Sequence, residues 1–314
     1  AIKSYENAIA INPSFADAYN NLGNLFKDIG QTDKAIKSYI RAIEINPQFA
    51  HAHNNLGTAL VDHERFDDAV RSYKKAIDIN PQFAEAHNNL GQVLNTLGQF
   101  KAGVNSFKKA IEINPKFTEA YYNFGLTLKK LKYFDDAINN FLSAVSIKPD
   151  FFEALNNIGS CLSFLGRIDE AIKSYEKALT INPEYANAHH DLGNALISIG
   201  QFKSGVKALE RSIEINPDFA EAYTSLGNFF KSRKQRDKSQ TYYELAYSLK
   251  PDIDFLFGEI LNNERNLCDW NNLSVSLNKL EKKIINMERV IAPFALLSLI
   301  DDPALQRKAS EIKV

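Results

Sequence analysis

Cysteine is nearly missing from this chain. The two present, Cys161 and Cys268, lie far apart, and neither belongs to a CxxC or Cys/His ligand spacing. No disulfide framework or zinc module is therefore readable, and both are expected to be free thiols of a reducing compartment, which reads as cytoplasmic. An excess of either charge is missing too: 37 Lys+Arg face 38 Asp+Glu, a net charge of -1. That balance lacks the electrostatic footprint of a nucleic-acid or acidic-membrane binder, so neither partner is expected. No apolar run approaches the roughly 20 residues that cross a bilayer, and no basic-then-apolar leader is present. Methionine and tryptophan occur once each, as Met287 and Trp270. The chain opens on Ala1, and its closing stretch reads as a helix start, with Asp302 as N-cap and Pro303 at the first helical position, running to Val314 without a stop signal. The expectation from the two ends is a segment of a longer protein.

What is present is a repeat. Proline falls at 13, 47, 81, 115, 149, 183, 217 and 251, a spacing of 34 residues without insertion or deletion. Glycine keeps the same period from Gly23 to Gly227, and alanine from Ala18 to Ala222. Within one unit, Tyr19, Leu22, Gly23 and Phe26 form one stripe on a helix over 16–29, here called helix A. Gly30 reads as a left-handed helix stop. Ala35, Ile36, Tyr39, Ala42 and Ile43 share a face of a second helix over 33–45, helix B. Asn46-Pro47 ends it, because the residue before proline is pushed out of the α region. Each unit is thus an antiparallel helix pair, with Gly23 and Ala35 allowing close approach and Leu22 and Tyr39 filling the space between. One pair cannot bury its own apolar face, so the copies must stack.

These residues resemble the tetratricopeptide repeat, whose pattern of aromatic, Leu-Gly, aromatic, Ala, aromatic, Ala and Pro is met by Tyr19, Leu22-Gly23, Phe26, Ala35, Tyr39, Ala42 and Pro47. Seven full copies cover 16–253, and residues 1–15 hold the second helix of a truncated one. Gly103 and Gly205 replace Ala35, Ser212 replaces Ala42, Leu155 replaces Tyr19, and the last copy drifts most, with Ser225 and Ser239. The resemblance implies an all-α, right-handed superhelical solenoid.

Asn21 lies roughly 150° from the middle of the helix A stripe, pointing away from the packed face. The same slot holds Asn55, Asn89, Asn123 and Asn157, then Asp191 and Ser225. Carboxamides at a fixed register can pair with the C=O and N–H of an extended peptide without reading its side chains. They can equally bond neighbouring helices and keep the stack in register. His53, His87 and His189 occupy the Tyr19 slot and read as packing residues; they lack the spacing of a helix metal site, and no metal is expected. Asp67-Asp68 and Asp135-Asp136 open helix B, where carboxylates favour the helix dipole. The chain has no phosphate-cradling glycine loop, GxSxG or HExxH, so no catalytic residue is assigned.

After Asp254 the period stops. Leu273, Leu277, Leu280 and Ile284 make a 4-3-4 stripe, so 271–288 reads as an amphipathic helix that can cap the stack. Cys268-Asp269-Trp270, Pro293-Phe294-Ala295-Leu296-Leu297-Ser298 and Asp301-Asp302-Pro303-Ala304-Leu305-Gln306 resemble the linker of the SPINDLY-type protein O-GlcNAc transferases. The Asn-Asn-Leu-Gly quartets at 20–23, 54–57 and 88–91 are similar to that family's repeats. The resemblance implies that 254–314 leads toward a catalytic domain outside this sequence. There GlcNAc would pass from UDP-GlcNAc, as donor substrate, to Ser or Thr hydroxyls, while this chain itself holds no cofactor. It also implies that Asn21, Asn55, Asn89, Asn123, Asn157 and Asp191 line the concave groove that grips extended segments of protein substrates. A stand-alone tetratricopeptide scaffold for protein–protein interaction is the alternative; a chaperone-tail carboxylate clamp is disfavoured by asparagine at 20–21 and 54–55.

Overall fold

The computed structural model describes residues 1–267, 273–292, 296 and 299–312. Every regular element among them is an α-helix. A lone helix, α1 (Ile2–Ile11), precedes the repeats. These run as α2 (Ala16–Asp28) with α3 (Thr32–Ile45), α4 (Ala50–Asp62) with α5 (Phe66–Ile79), α6 (Ala84–Thr96) with α7 (Phe100–Ile113), and α8 (Thr118–Lys130) with α9 (Phe134–Ile147). The fifth copy is α10 (Phe152–Phe164) followed by α11 (Ile168–Ile181), and the last two are α12 (Ala186–Ser198) with α13 (Phe202–Ile215) and α14 (Ala220–Ser232) with α15 (Arg236–Leu249). Beyond the repeats lie α16 (Leu256–Asn266), α17 (Leu273–Ile285) and α18 (Pro303–Glu311). The chain divides into two compact units, Ala1–Leu165 and Gly166–Val314. No helix among the described residues is long and apolar enough to cross a membrane.

In the first unit the expected helix pair forms within a residue of its expected bounds, and its closeness has a specific cause. Tyr39 is fully buried with its ring on Gly23, where a Cβ would sit 2.5 Å from the ring edge. Tyr73 on Gly57, Phe107 on Gly91 and Phe141 on Gly125 repeat the contact. The glycine is a seat for the aromatic of helix B, and any larger residue would have to displace a buried ring. One core joins Ala35, Tyr39, Leu60, Ala69, Tyr73, Leu90 and Leu94, side chains of three successive copies, which is the burial a single pair lacks.

The turns follow from backbone chemistry. Gly30 and Gly98 sit at φ +75°, and Glu64 and Lys132 hold the same left-handed slot at φ 57° and 64°. Asn46 leaves the helix at φ -130°, and its carboxamide oxygen accepts from the backbone N–H of Gln48 at 3.1 Å. Asn80 and Asn114 repeat that bond, so Asn-Pro both ends helix B and folds the chain toward the next copy.

In the second unit the departures from the repeat pattern have partners. Ser212 is fully buried and donates to the Ala186 carbonyl at 2.9 Å. Ser239, also fully buried, donates to the Gly227 carbonyl at 2.9 Å and accepts from the Asn263 carboxamide of α16 at 3.0 Å. The drift of the last copy is thus a buried polar clasp between the stack and the tail. A separate apolar cluster, Phe257, Leu261, Leu280, Ile284, Ile291, Leu296 and Ala309, closes the tail on itself. Leu280 and Ile284 of the expected stripe are fully buried. Asp302 accepts from the backbone N–H groups of Ala304 and Leu305 at 2.8 and 3.3 Å, the expected N-cap. Cys268-Asp269-Trp270, the side chain of Leu273, and Pro293, Phe294, Ala295, Leu297 and Ser298 lie outside the described residues.

Candidate functional site: a carboxamide ladder

Helix A of each copy in the first unit touches helix A of the next, α2 with α4, α4 with α6 and α6 with α8. This second packing face is absent from a single-helix projection, and it decides what the asparagine column does. Asn21, Asn55, Asn89, Asn123 and Asn157 are all half-buried rather than standing free in solvent. The Asn55 Nδ2 donates to Asn20 Oδ1 at 3.0 Å and to Asn24 Oδ1 at 3.2 Å. The Asn89 Nδ2 donates to Asn54 Oδ1 at 3.1 Å, and the Asn123 Nδ2 to Asn88 Oδ1 at 3.0 Å. Each of these three rungs reaches back to the preceding copy, whose own asparagine, one residue earlier on the helix, is buried.

Sequence reasoning missed that inner column of Asn20, Asn54 and Asn88, although the Asn-Asn doublets were its signal. Register-keeping bonds are therefore present, and they orient the rungs. With Nδ2 drawn to the previous copy, the carboxamide oxygens of Asn55 and Asn123 have no partner among the described residues. The fifth rung varies the theme, since the Asn157 Nδ2 donates to the Tyr122 hydroxyl at 3.2 Å and to the Glu153 carbonyl, while its Oδ1 accepts from Lys129 at 2.9 Å.

Asn24 ties the rung to the core. Its Oδ1 also accepts from the Tyr39 hydroxyl at 2.8 Å, and burial pushes that phenol up to about 12 from 10.0, keeping it a neutral donor. Thr58 Oγ1 accepts from Tyr73 in the same way at 3.2 Å. Phe107 and Phe141 offer no hydroxyl, and their copies carry Gln92 and Leu126 at the Asn24 slot.

In the second unit the rung changes chemistry. His190 Nδ1 lies 3.1 Å from Asp191 Oδ1, and its Nε2 lies 3.1 Å from Ser225 Oγ and 3.0 Å from Asn194 Nδ2. Because an amide nitrogen only donates, Nε2 is the acceptor and Nδ1–H donates to Asp191. The order Asp-His-Ser is that of a nucleophilic triad, but Ser225 lies inside α14, where backbone N–H groups are spent on helix bonds. No oxyanion donor follows from that placement, and the trio reads as a rung. His53, His87 and His189 each donate from Nε2 to the carbonyl of the proline six residues earlier, at 3.2, 3.2 and 2.9 Å, tying helix A to the turn before it. Burial lowers the pKa of His53 and His87. No group of three or more His, Cys, Asp or Glu placed to hold a metal occurs among the described residues. Asp68 is occupied by Arg65 at 2.7 Å and by Arg71, which hold its carboxyl below the usual range. Buried Cys161 is a free thiol pushed up to about 11 by burial, which suppresses thiolate chemistry.

A TPR repeat family model matches residues 1–30, 23–63, 57–98 and 165–200, and tetratricopeptide repeat models match 84–117, 118–151, 186–219 and 220–253. The chain belongs to the tetratricopeptide-repeat proteins, a class of scaffold for protein–protein interaction. Among solved structures it is similar to YrrB, described as a TPR protein with an unusual peptide-binding site. The two are 27% identical over 60% of this chain and 98% of that one, with a TM-score of 0.51. PilF of Pseudomonas aeruginosa (19% identity, 69% and 97% of the two chains, TM-score 0.59) and the APC/C hetero-tetramer Cut9–Hcn1 (16%, 83% and 52%, 0.64) share the fold. No curated protein matches the chain.

Proposed function

We propose that this scaffold holds extended segments of protein substrates along Asn21, Asn55, Asn89, Asn123 and Asn157, with Asp191 the next position of the column in sequence. The observation that carries the reading is the pinned carboxamide. The Nδ2 groups of Asn55, Asn89, Asn123 and Asn157 are bound to the copy before, which leaves the Oδ1 atoms of Asn55 and Asn123 as acceptors of fixed orientation two copies apart, and a peptide N–H can meet them without rearrangement of the rung. On Asn89 and Asn123 a second Nδ2 hydrogen remains for a peptide carbonyl. The peptide-binding site named for YrrB supports the same use of the repeat. We further propose that the chain is the substrate-recruiting arm of a protein O-GlcNAc transferase-like glycosyltransferase that uses UDP-GlcNAc. The support is the tail resemblance, Cys268-Asp269-Trp270 above all. An arm of this kind acts by raising the local concentration of acceptor segments. No residue of this chain is assigned to sugar transfer.

The test is a triple variant, Asn55→Ala, Asn89→Ala and Asn123→Ala, titrated with a fluorescent, neutral, extended Ser/Thr peptide. Removing three rungs also strands the buried acceptors Asn20, Asn54 and Asn88, at about 1 kcal/mol each, so binding is read at a temperature where circular dichroism shows the variant folded. Affinity is expected to drop about tenfold or more, equivalent to ~1.4 kcal/mol. Unchanged affinity in the folded variant would sink the groove assignment. Labelling of acceptor protein that depends on UDP-GlcNAc, assayed with the natural protein isolated from its source, tests the transferase reading separately.

A further inference from the structure

We infer that the unit Ala1–Leu165 carries a second docking site, beside the fifth rung of the carboxamide column, for acidic peptide segments that present a bulky apolar side chain. The site is a cleft of about 530 Å³ lined by Leu126, Lys129, Lys130, Lys132, Phe134 and Phe164. Three of its six lining residues are lysines and none is acidic, in a chain whose net charge is -1. Asp135 and Asp136 follow on α9 but do not line it. None of the three lysines has an ion-pair partner among the described residues. Lys129 donates to Asn157, and Lys130 lies 4.9 Å above the Phe100 ring, so two of the ammonium groups are positioned by neutral partners that leave their charge uncompensated.

The apolar half is equally specific. Phe164 is 69% exposed at the end of α10 and stacks on Phe134 with ring centroids 5.0 Å apart and planes 4° from parallel. The repeat supplies its own control for this residue. The slot of Phe164 is Asp28, Asp62, Thr96 and Lys130 in the preceding copies and Ser198 and Ser232 in the following ones. A polar position on the array has here become an aromatic one facing water, where burial in the stack does not account for it. Leu126 stands at the Asn24 slot for the reason given above, that Phe141 has no hydroxyl to satisfy, and it too is exposed. The cleft thus joins an open aromatic pair to a ring of uncompensated positive charge. Its complement is an aliphatic or aromatic side chain flanked by Asp or Glu: the apolar group covers Phe164 and Leu126 while the carboxylates pair with the lysines. Three lysines are too local a field to track a nucleic-acid backbone, and the class to which the chain belongs binds proteins.

The probe is a fluorescent peptide with one Phe between Asp and Glu residues, compared with a version whose acids are lysines and one whose Phe is Ala. Phe164→Ser and Lys130→Thr restore residues that the array itself carries at that slot, so both variants are built to fold. Expected are binding of the acidic peptide alone, a tenfold or greater loss in Phe164→Ser, a smaller loss in Lys130→Thr, and weakening with added salt. Equal binding of the three peptides would overturn the site, as would an unaltered affinity in Phe164→Ser. So would a single-stranded oligonucleotide that binds wild type more tightly than the peptide, or a concentration-dependent dimer lost in Phe164→Ser without peptide binding. The acidic peptide reads this cleft and the neutral peptide reads the column, so the two proposals fail separately.

Discussion

A buried ring and the glycine beneath it bring the two helices together in the first four copies and the last, and Leu209 takes the ring's place on Gly193. Tyr39 and Tyr73 reach past that glycine to an acceptor, Asn24 and Thr58, and Tyr243 reaches Asn228 at 2.7 Å. Burying a phenol is tolerable because its hydroxyl is paired. The consequence is a pH dependence at the alkaline end. Burial holds Tyr39 and Tyr73 at about 12 against 10.0, and raises Tyr243 as well. As pH climbs, the unfolded chain gives up these protons first, so stability that is whole below about pH 10 is lost progressively toward pH 12. An ultraviolet titration of tyrosinate should show phenols that ionise only together with loss of helical circular dichroism. Complete ionisation of all 13 tyrosines near pH 10 with the fold intact would contradict the burial argument.

Between elements, the departures from the repeat pattern are the informative positions. Ser239 stands where Ala35 and Ala69 stand in earlier copies, and alanine would suit the packing of helix B alone. Its hydroxyl instead links the Gly227 carbonyl to Asn263, which is 1% exposed on α16. Ser239→Ala should therefore destabilise the protein, by about 1–3 kcal/mol, because it strands a buried donor. In an Asn263→Ala background the same change should cost clearly less. Urea denaturation of the four proteins of this double-mutant cycle measures the coupling, and strict additivity would show that the bond contributes nothing.

Across the whole molecule, stability is built from neighbour to neighbour, as a stack whose core side chains belong to three copies at once requires. The tail is different in kind. Leu280, Ile284 and Leu296 are fully buried in a cluster of their own, joined to the stack through Tyr247 and α16. Leu280→Ala should cost about 2–5 kcal/mol, in the range of other large-to-small core changes. A shift of the denaturation midpoint below that of an exposed control such as Val275→Ala checks it; equal shifts would mean that the tail does not fold cooperatively with what it covers.

The local rules could be read from the amino-acid order because each acts over a few residues. Proline and asparagine end helix B, a left-handed residue ends helix A, Asp302 caps α18, and the 34-residue period forces a stack. The asparagine column could be read as a register for the same reason. What it bonds to could not, because its partners lie 31 and 35 residues away, on a helix face that exists only once copies lie side by side. Likewise the Asp191–His190–Ser225 rung and the cleft around Phe164 each join residues of different copies. Period and composition determine that the copies stack; the way helix A of one copy lies against helix A of the next decides which polar groups are spent inside the stack and which are left to meet a partner.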